Sequence, residues 1–167
     1  MSRSTICEPG NTAPGPSLKA RALRLLARRD YTRVELAQRL APHAPDAATL
    51  QAVLDECAAR GWLDEQRAVQ AHVHRRAERL GAQRVQAELR ARGVDSETLR
   101  EVRQQLDASE HARALAVWQQ RFGQSPADAR ERARQLRFLA ARGFAADVAQ
   151  RVVPRAIAAP AAPDEDA

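Results

Sequence analysis

The sequence predicts an all-α protein, an elongated and curved tandem array of three three-helix repeats. Apolar residues recur at the three- and four-residue spacing of amphipathic helices, and no stretch alternates apolar and polar residues as a strand does. The segment Glu-Leu-Arg-Ala-Arg-Gly-Val at residues 88–94 has a counterpart, Phe-Leu-Ala-Ala-Arg-Gly-Phe, at residues 138–144. Similar helix ends at two places in the chain indicate units stacked in tandem.

The predicted helices have recognisable starts. Thr32, with Glu35 three residues later, forms a capping-box pattern, in which each side chain satisfies a backbone N–H at the helix N-terminus. Three further starts are predicted at Asp46, at Asp95 and at Ser125, where Pro126 would be the first helical residue.

The predicted helix ends are marked by glycine, which adopts the left-handed backbone conformation of a C-terminal cap without strain. After residue 16 the sequence has five glycines, and each follows an apolar stripe. They are Gly61, Gly81, Gly93, Gly123 and Gly143. Nine helices with short connections result.

These signals divide the chain into three units and two tails. The units are predicted at residues 17–63, 64–107 and 108–157. Residues 1–16 are rich in proline and glycine, and residues 158–167 in alanine, proline and acids. Both have little to bury, so both are predicted to be disordered.

The net charge of the chain indicates the kind of partner that the protein binds. Lysine and arginine number 27 against 21 acids, a net charge of +6, which favours a nucleic-acid or acidic protein partner. Cys7 and Cys57 have unlike surroundings, so a disulfide is not expected, and no apolar run approaches the length of about 18 residues that spans a membrane. We therefore expect a cytoplasmic protein without a membrane partner.

The sequence has no pattern that predicts catalysis. There is no glycine-rich phosphate loop, and His72 and His74 are two residues apart, which places them on different sides of a helix. Cys57 shares an apolar stripe with Leu54 and is interpreted as a core residue. We expect no enzyme activity, no catalytic residue, no cofactor and no metal site.

Arginines concentrate in residues 67–92 and 130–155. If the second and third units present them on one side, they form an electrostatic groove for phosphate or for an acidic protein surface. The alternative is a solvated face that carries arginine for solubility. The candidate binding residues are Arg75, Arg76, Arg79, Arg84, Arg90, Arg92, Arg137 and Arg142.

Aromatic residues could serve as base-stacking platforms, but core roles are favoured. Trp118 and Phe122 share a stripe with Leu115, and Phe144 follows Gly143 where a hydrophobic contact to the helix end belongs.

Three short motifs resemble the RecX family. Gly-Trp-Leu-Asp-Glu-Gln-Arg at residues 61–67, followed by Arg-Val-Gln-Ala-Glu-Leu at 84–89, is similar to the family's central signature. Residues 134–144 resemble its C-terminal signature, and Tyr31 with the segment 35–40 its N-terminal one. The resemblance covers residues 18–157. It departs from the family at Ala68, where an aromatic residue is expected, and in the proline-rich turn around Pro42.

The resemblance implies a function that composition alone does not. A RecX-like protein would bind the RecA recombinase filament on single-stranded DNA and modulate, most often inhibit, its assembly, ATPase and strand exchange. The resemblance assigns no residue to this contact. A monomer is expected, because a finite array with polar end units requires no second copy. Two alternatives stay open: a stand-alone helical DNA-binding protein that reads duplex with helix-turn-helix pairs, and a structural or adaptor repeat protein.

Overall fold

The structure, a computed structural model, describes residues 15–156. Apart from residues 15 and 16, the two predicted tails lie outside this range. Cys7 also lies outside it. Within residues 15–156 every regular element is a helix, which confirms the all-α prediction. The nine α-helices are α1 (Leu18–Leu26), α2 (Arg33–Leu40), α3 (Ala47–Ala59), α4 (Glu65–Ala77), α5 (Ala82–Ala91), α6 (Ser96–Asp107), α7 (Glu110–Arg121), α8 (Ala129–Ala141) and α9 (Ala146–Val152), and a short 3₁₀ turn, Ala41–His43, follows α2.

Side-chain caps define most helix starts. At Thr32 both hydrogen bonds of the predicted capping box are present, and Asp46 and Asp95 cap α3 and α6 as expected. The predicted start at Pro126 is wrong. Helix α8 begins three residues later because Asp128 accepts a hydrogen bond of 2.6 Å from the backbone N–H of Glu131.

Four of the five glycines end helices as predicted. Gly61, Gly93, Gly123 and Gly143 all have positive φ. The prediction for Gly81 is wrong. Gly81 has φ −73° and is the N-cap residue of α5, in a position where the backbone of another unit approaches too closely for a side chain.

Three separate hydrophobic cores succeed one another along the chain. The first draws its buried residues from 22–63, the second from 69–106 and the third from 114–153. Each core is enclosed by three consecutive helices, which gives the helical repeat array. Fully buried side chains at their centres are Leu36 and Leu54 in the first core, Val85 and Leu89 in the second, and Leu139 and Phe144 in the third.

The same contact joins each core to the next. The end of the second helix of one unit packs against the start of the second helix of the unit before it. At the first joint the Thr32 hydroxyl donates to the carbonyl oxygen of Arg92 (2.7 Å), and at the second the Gly81 amide donates to that of Arg142 (2.9 Å). We call these the first and second joints.

No helix in residues 15–156 combines the length and the apolar character that crossing a membrane requires.

Candidate partner-binding surface

A cleft of about 470 Å³ opens beside the second joint, between the second and third cores. Four arginines from three different helical regions line it, together with apolar side chains and one glutamine, and no acidic residue does. We call it the arginine cleft. Its lining residues are Arg76, Arg79, Leu80, Val117, Gln120, Arg121, Phe138 and Arg142.

The walls of the cleft are held by two buried or half-buried residues of α7. Arg113 donates to the carbonyl oxygens of Ala77 (2.9 Å) and Leu80 (2.7 Å), at the end of α4. Burial lowers the pKa of its guanidinium. Glu110, only 3% exposed, accepts from the Ala82 amide at 3.0 Å. The third unit is thereby fixed to the turn that carries Arg79.

Electrostatics distinguish the two joints, although their geometry is shared. At the first joint Arg92 Nη1 lies 3.5 Å from Glu35 Oε1, the third residue after the Thr32 cap. The third residue after the Gly81 cap is Arg84, which lies against Gly143. The ion pair between Arg92 and Glu35 therefore has no counterpart at the second joint, where Arg142 has no carboxylate partner among residues 15–156.

Arg142 packs against an aromatic ring at the edge of the cleft. Its guanidinium carbon lies 4.2 Å from the centre of the Phe138 ring, within the range of a cation–π contact. Its Nε is buried and has no hydrogen-bond partner among the described residues. No carboxylate neutralises Arg142, and the same holds for Arg79 and Arg121 within residues 15–156.

Arg76 links the arginine cleft to a second hollow of about 440 Å³, which His72, Arg75, Glu88 and Arg92 line with it. Glu88 receives hydrogen bonds from Arg76 at 2.6 and 2.9 Å, and this pairing holds the pKa of its carboxyl below the usual value. Burial, and then the nearby charge of Arg92, lower the pKa of His72 despite Glu88, 3.0 Å away. The second hollow is thus partly neutralised.

The structure separates the remaining predicted residues from the arginine cleft. Arg84 is exposed beside Glu88, with 3.8 Å between Arg84 Nε and the carboxylate. Arg90 follows Gln86 by one helical turn, and Gln86 donates to the Leu99 carbonyl, so Arg90 lies on the side of α5 that faces α6. Arg137 lies in a shallower hollow on α8 that Asp128 and Glu131 also line.

Sequence reasoning missed two basic features. Arg121 completes the arginine cleft from the last turn of α7. The sequence could have indicated it, because Arg121 lies near the end of the first helix of its unit, as Arg75 and Arg76 do on α4. A further hollow on the first unit carries positive charge without an acid. It is lined by Arg21, Arg24, Leu25, Arg28, Arg39, Leu40 and His43.

The other candidate chemistries have little support in the described part of the chain. Trp118 and Phe144 are buried in the third core, in agreement with the core interpretation. Cys57 is fully buried, and burial raises the pKa of its thiol. Within residues 15–156 no three His, Cys, Asp or Glu side chains are placed to share a metal ion.

The fold and the surface together define a class: a helical repeat protein with a basic cleft where two units meet. Two family models match, "RecX, third three-helix domain" at residues 108–153 and "RecX, first three-helix domain" at residues 19–57. The chain belongs to the RecX family.

Similar proteins agree with this assignment. The chain is 51% identical over 140 residues to "Regulatory protein RecX" of Leptothrix cholodnii, covering 84% of this chain and 89% of the relative. It is 48% identical over 141 residues to the protein of that name from Chromobacterium violaceum, covering 84% and 91%. A solved RecX structure from Lactobacillus salivarius superposes with a TM-score of 0.69 at 13% identity, covering 81% of this chain and 91% of that one, and shows the shared fold.

Proposed function

We propose that this protein binds the RecA recombinase filament on single-stranded DNA and inhibits its assembly, ATPase and strand exchange. The observation that carries the proposal is the arginine cleft, an acid-free basic site at a joint between units, in a chain of the RecX family. Partners with exposed carboxylates or phosphates would complement it.

The repeat array supports contact with several protomers at once. We propose residues 17–63, 64–107 and 108–157 as the three units, each enclosing one of the three cores. Because the units are fixed to one another at the joints, a second contact forms with little further loss of freedom once the first has formed. A protein that bridges protomers in this way inhibits by occupying the filament, and it needs no catalytic residue, cofactor or metal.

We propose the arginine cleft and the second hollow as the contact surface. Arg75, Arg76, Arg79 and Arg142 line these two sites. Arg121 joins them from α7, and Arg92, which lines the second hollow, is paired with Glu35. Arg84, Arg90 and Arg137 line neither site. Both sites are formed within one chain, so the protein would act as a monomer. We propose that it acts in the cytoplasm, with the recombinase filament.

The two joints argue against the alternative in which the protein recognises duplex DNA by itself, with α2 and α5 as recognition helices. A recognition helix contacts base edges with its N-terminal residues. The N-terminus of α2 is covered by the Arg92 carbonyl and Gly93, and that of α5 by the Arg142 carbonyl and Gly143. Neither helix start is free to enter a major groove.

The proposal is tested by measuring equilibrium binding to recombinase filaments assembled on single-stranded DNA. Reversing the charges of Arg75 and Arg79 to glutamate should weaken binding by about tenfold or more, because both line the proposed contact. The matched control reverses Arg24 and Arg39 of the first unit, which changes the net charge equally. Equal weakening by both variants would show that only net charge matters and would overturn the assignment, provided that circular dichroism shows both to be folded.

A further inference from the structure

The arginine cleft has a complement within the same chain. Residues 164–166 are Asp-Glu-Asp, an uninterrupted acidic run. Arg79, Arg121 and Arg142 in the cleft have no carboxylate partner among residues 15–156, and the buried Nε of Arg142 has no acceptor there. An acidic segment would supply what these guanidinium groups lack.

The described chain ends within reach of the cleft. The Pro154 carbonyl accepts a hydrogen bond of 3.1 Å from Arg132 Nε, which holds Pro154 against α8. Along α8, Arg142 lies roughly 15 Å from Arg132, at the helical rise per residue. The chain from Ala156 to Asp164 can span up to about 27 Å. This span exceeds the axial distance from Arg132 to Arg142, so the acidic run is long enough to approach the cleft.

Other basic hollows are poorer sites for this segment. The hollow beside Pro154 contains Asp147, which already pairs with Arg151 at 2.7 Å. The hollow around Arg137 contains Asp128 and Glu131. The acid-free hollow around Arg24 belongs to the first unit, two cores away along the array. The arginine cleft is lined by no acidic residue and is also close to the last described residues of the chain.

We propose that residues 164–166 bind the arginine cleft of their own chain and cover it until a partner displaces them. Exposed ion pairs are individually weak, but attachment to the same chain gives the acidic run a high effective concentration at the cleft. A polyanionic or acidic surface that offers more contacts would displace it. Binding of residues 164–166 to the cleft does not depend on the proposed function. Their effect on binding to the recombinase filament does rest on the proposed function.

The contact is tested on the full chain by paramagnetic relaxation enhancement, without any recombinase. A nitroxide is attached through Ala167→Cys in a Cys7→Ser background, and the buried Cys57 remains unlabelled. The expected result is broadening of the amide signals of Arg79, Arg121 and Gly143, with none at Arg24. Broadening should disappear in Asp164→Asn/Glu165→Gln/Asp166→Asn and in Arg79→Glu/Arg121→Glu, and should persist in Arg24→Glu/Arg39→Glu.

Three results would overturn the proposal: no broadening at the cleft, equal broadening around Arg24, or broadening that survives neutralisation of the acidic run. Broadening between isotopically labelled and spin-labelled molecules in a mixture would also overturn it, because the contact would then join two copies. The regulatory effect has its own readout. The neutralised tail variant should bind recombinase filaments about threefold to tenfold more tightly than the native chain. If filaments are not bound at all, the proposed function fails, and the relaxation experiment still decides the tail contact.

Discussion

The amide of Gly81 donates a hydrogen bond of 2.9 Å to the carbonyl oxygen of Arg142, across the joint between the second and third units. Gly143 extends the contact, since its carbonyl accepts from the Gln83 amide at 3.3 Å. Backbone-to-backbone pairing of this kind requires both chains to approach without an intervening side chain. The position of the third unit, and with it the shape of the arginine cleft, therefore depends on a residue that has no side chain.

Gly81→Ala should destabilise the protein by about 2–3 kcal/mol, at the upper end of the range for overpacking. A Cβ at residue 81 would overlap the backbone of Gly143 and Phe144, which cannot move as a flexible side chain could. The φ of Gly81 is negative, so the effect is one of space alone. The free energy of unfolding from urea denaturation provides the measurement.

Gly61→Ala is the matched control. Gly61 has φ +70° and open space around the position of a Cβ, so alanine there costs about 1 kcal/mol of backbone strain. Equal losses for the two variants would show that the joint tolerates a side chain and that close approach at Gly81 does not hold the units together.

Thr32→Val should cost about 2 kcal/mol, through two separate losses. The Thr32 hydroxyl accepts from the Glu35 amide as a helix cap and donates to the Arg92 carbonyl across the first joint. The residue is 1% exposed, so water cannot replace either bond. Thr32→Ser retains the hydroxyl and should retain most of the stability in the same urea experiment. A valine variant as stable as the serine variant would contradict the role of the hydroxyl.

Stability should fall between about pH 7 and pH 5.5, in part because of His72. Burial and the charge of Arg92 hold its pKa below the ordinary 6.5 in the folded protein. As the pH falls through 6.5, the unfolded chain takes up a proton that the folded protein does not, so the free energy of unfolding decreases. His72→Gln should lose less stability over this interval. His74→Gln, at an exposed position, should behave like the native chain; a native-like slope for His72→Gln would contradict the prediction.

Much of the fold was predictable because its signals are local. The capping box at Thr32 and the left-handed glycines at Gly93 and Gly143 are properties of single helix ends, and the apolar stripes indicate most of the buried hydrophobic side chains. Gly81 was misinterpreted because a glycine at a helix end and a glycine at a close approach look alike in sequence. The start of α8 was misplaced because Asp128 and Pro126 compete as start signals, and the Asp128 cap prevails.

The site was less predictable, because it depends on which residues the joints bring together. Arg92 and Arg142 occupy matching places in the repeat, yet Arg92 lies 3.5 Å from Glu35 whereas Arg142 has no carboxylate partner within residues 15–156. That difference resides in the preceding unit, far away in sequence. The same applies to Arg121, which contributes to the arginine cleft from α7, whereas Arg79 lies in the turn after α4.

The most direct test of the proposed function is the single-strand-DNA-dependent ATPase rate of the cognate recombinase as this protein is titrated in. We predict a strong fall in rate at ratios well below one molecule per recombinase protomer. Arg79→Glu/Arg121→Glu should need about tenfold more protein for the same fall, and Arg24→Glu/Arg39→Glu should match the native chain. An ATPase rate that the native protein leaves unchanged, at concentrations where it binds duplex DNA tightly, would contradict the filament proposal and favour a stand-alone DNA-binding protein.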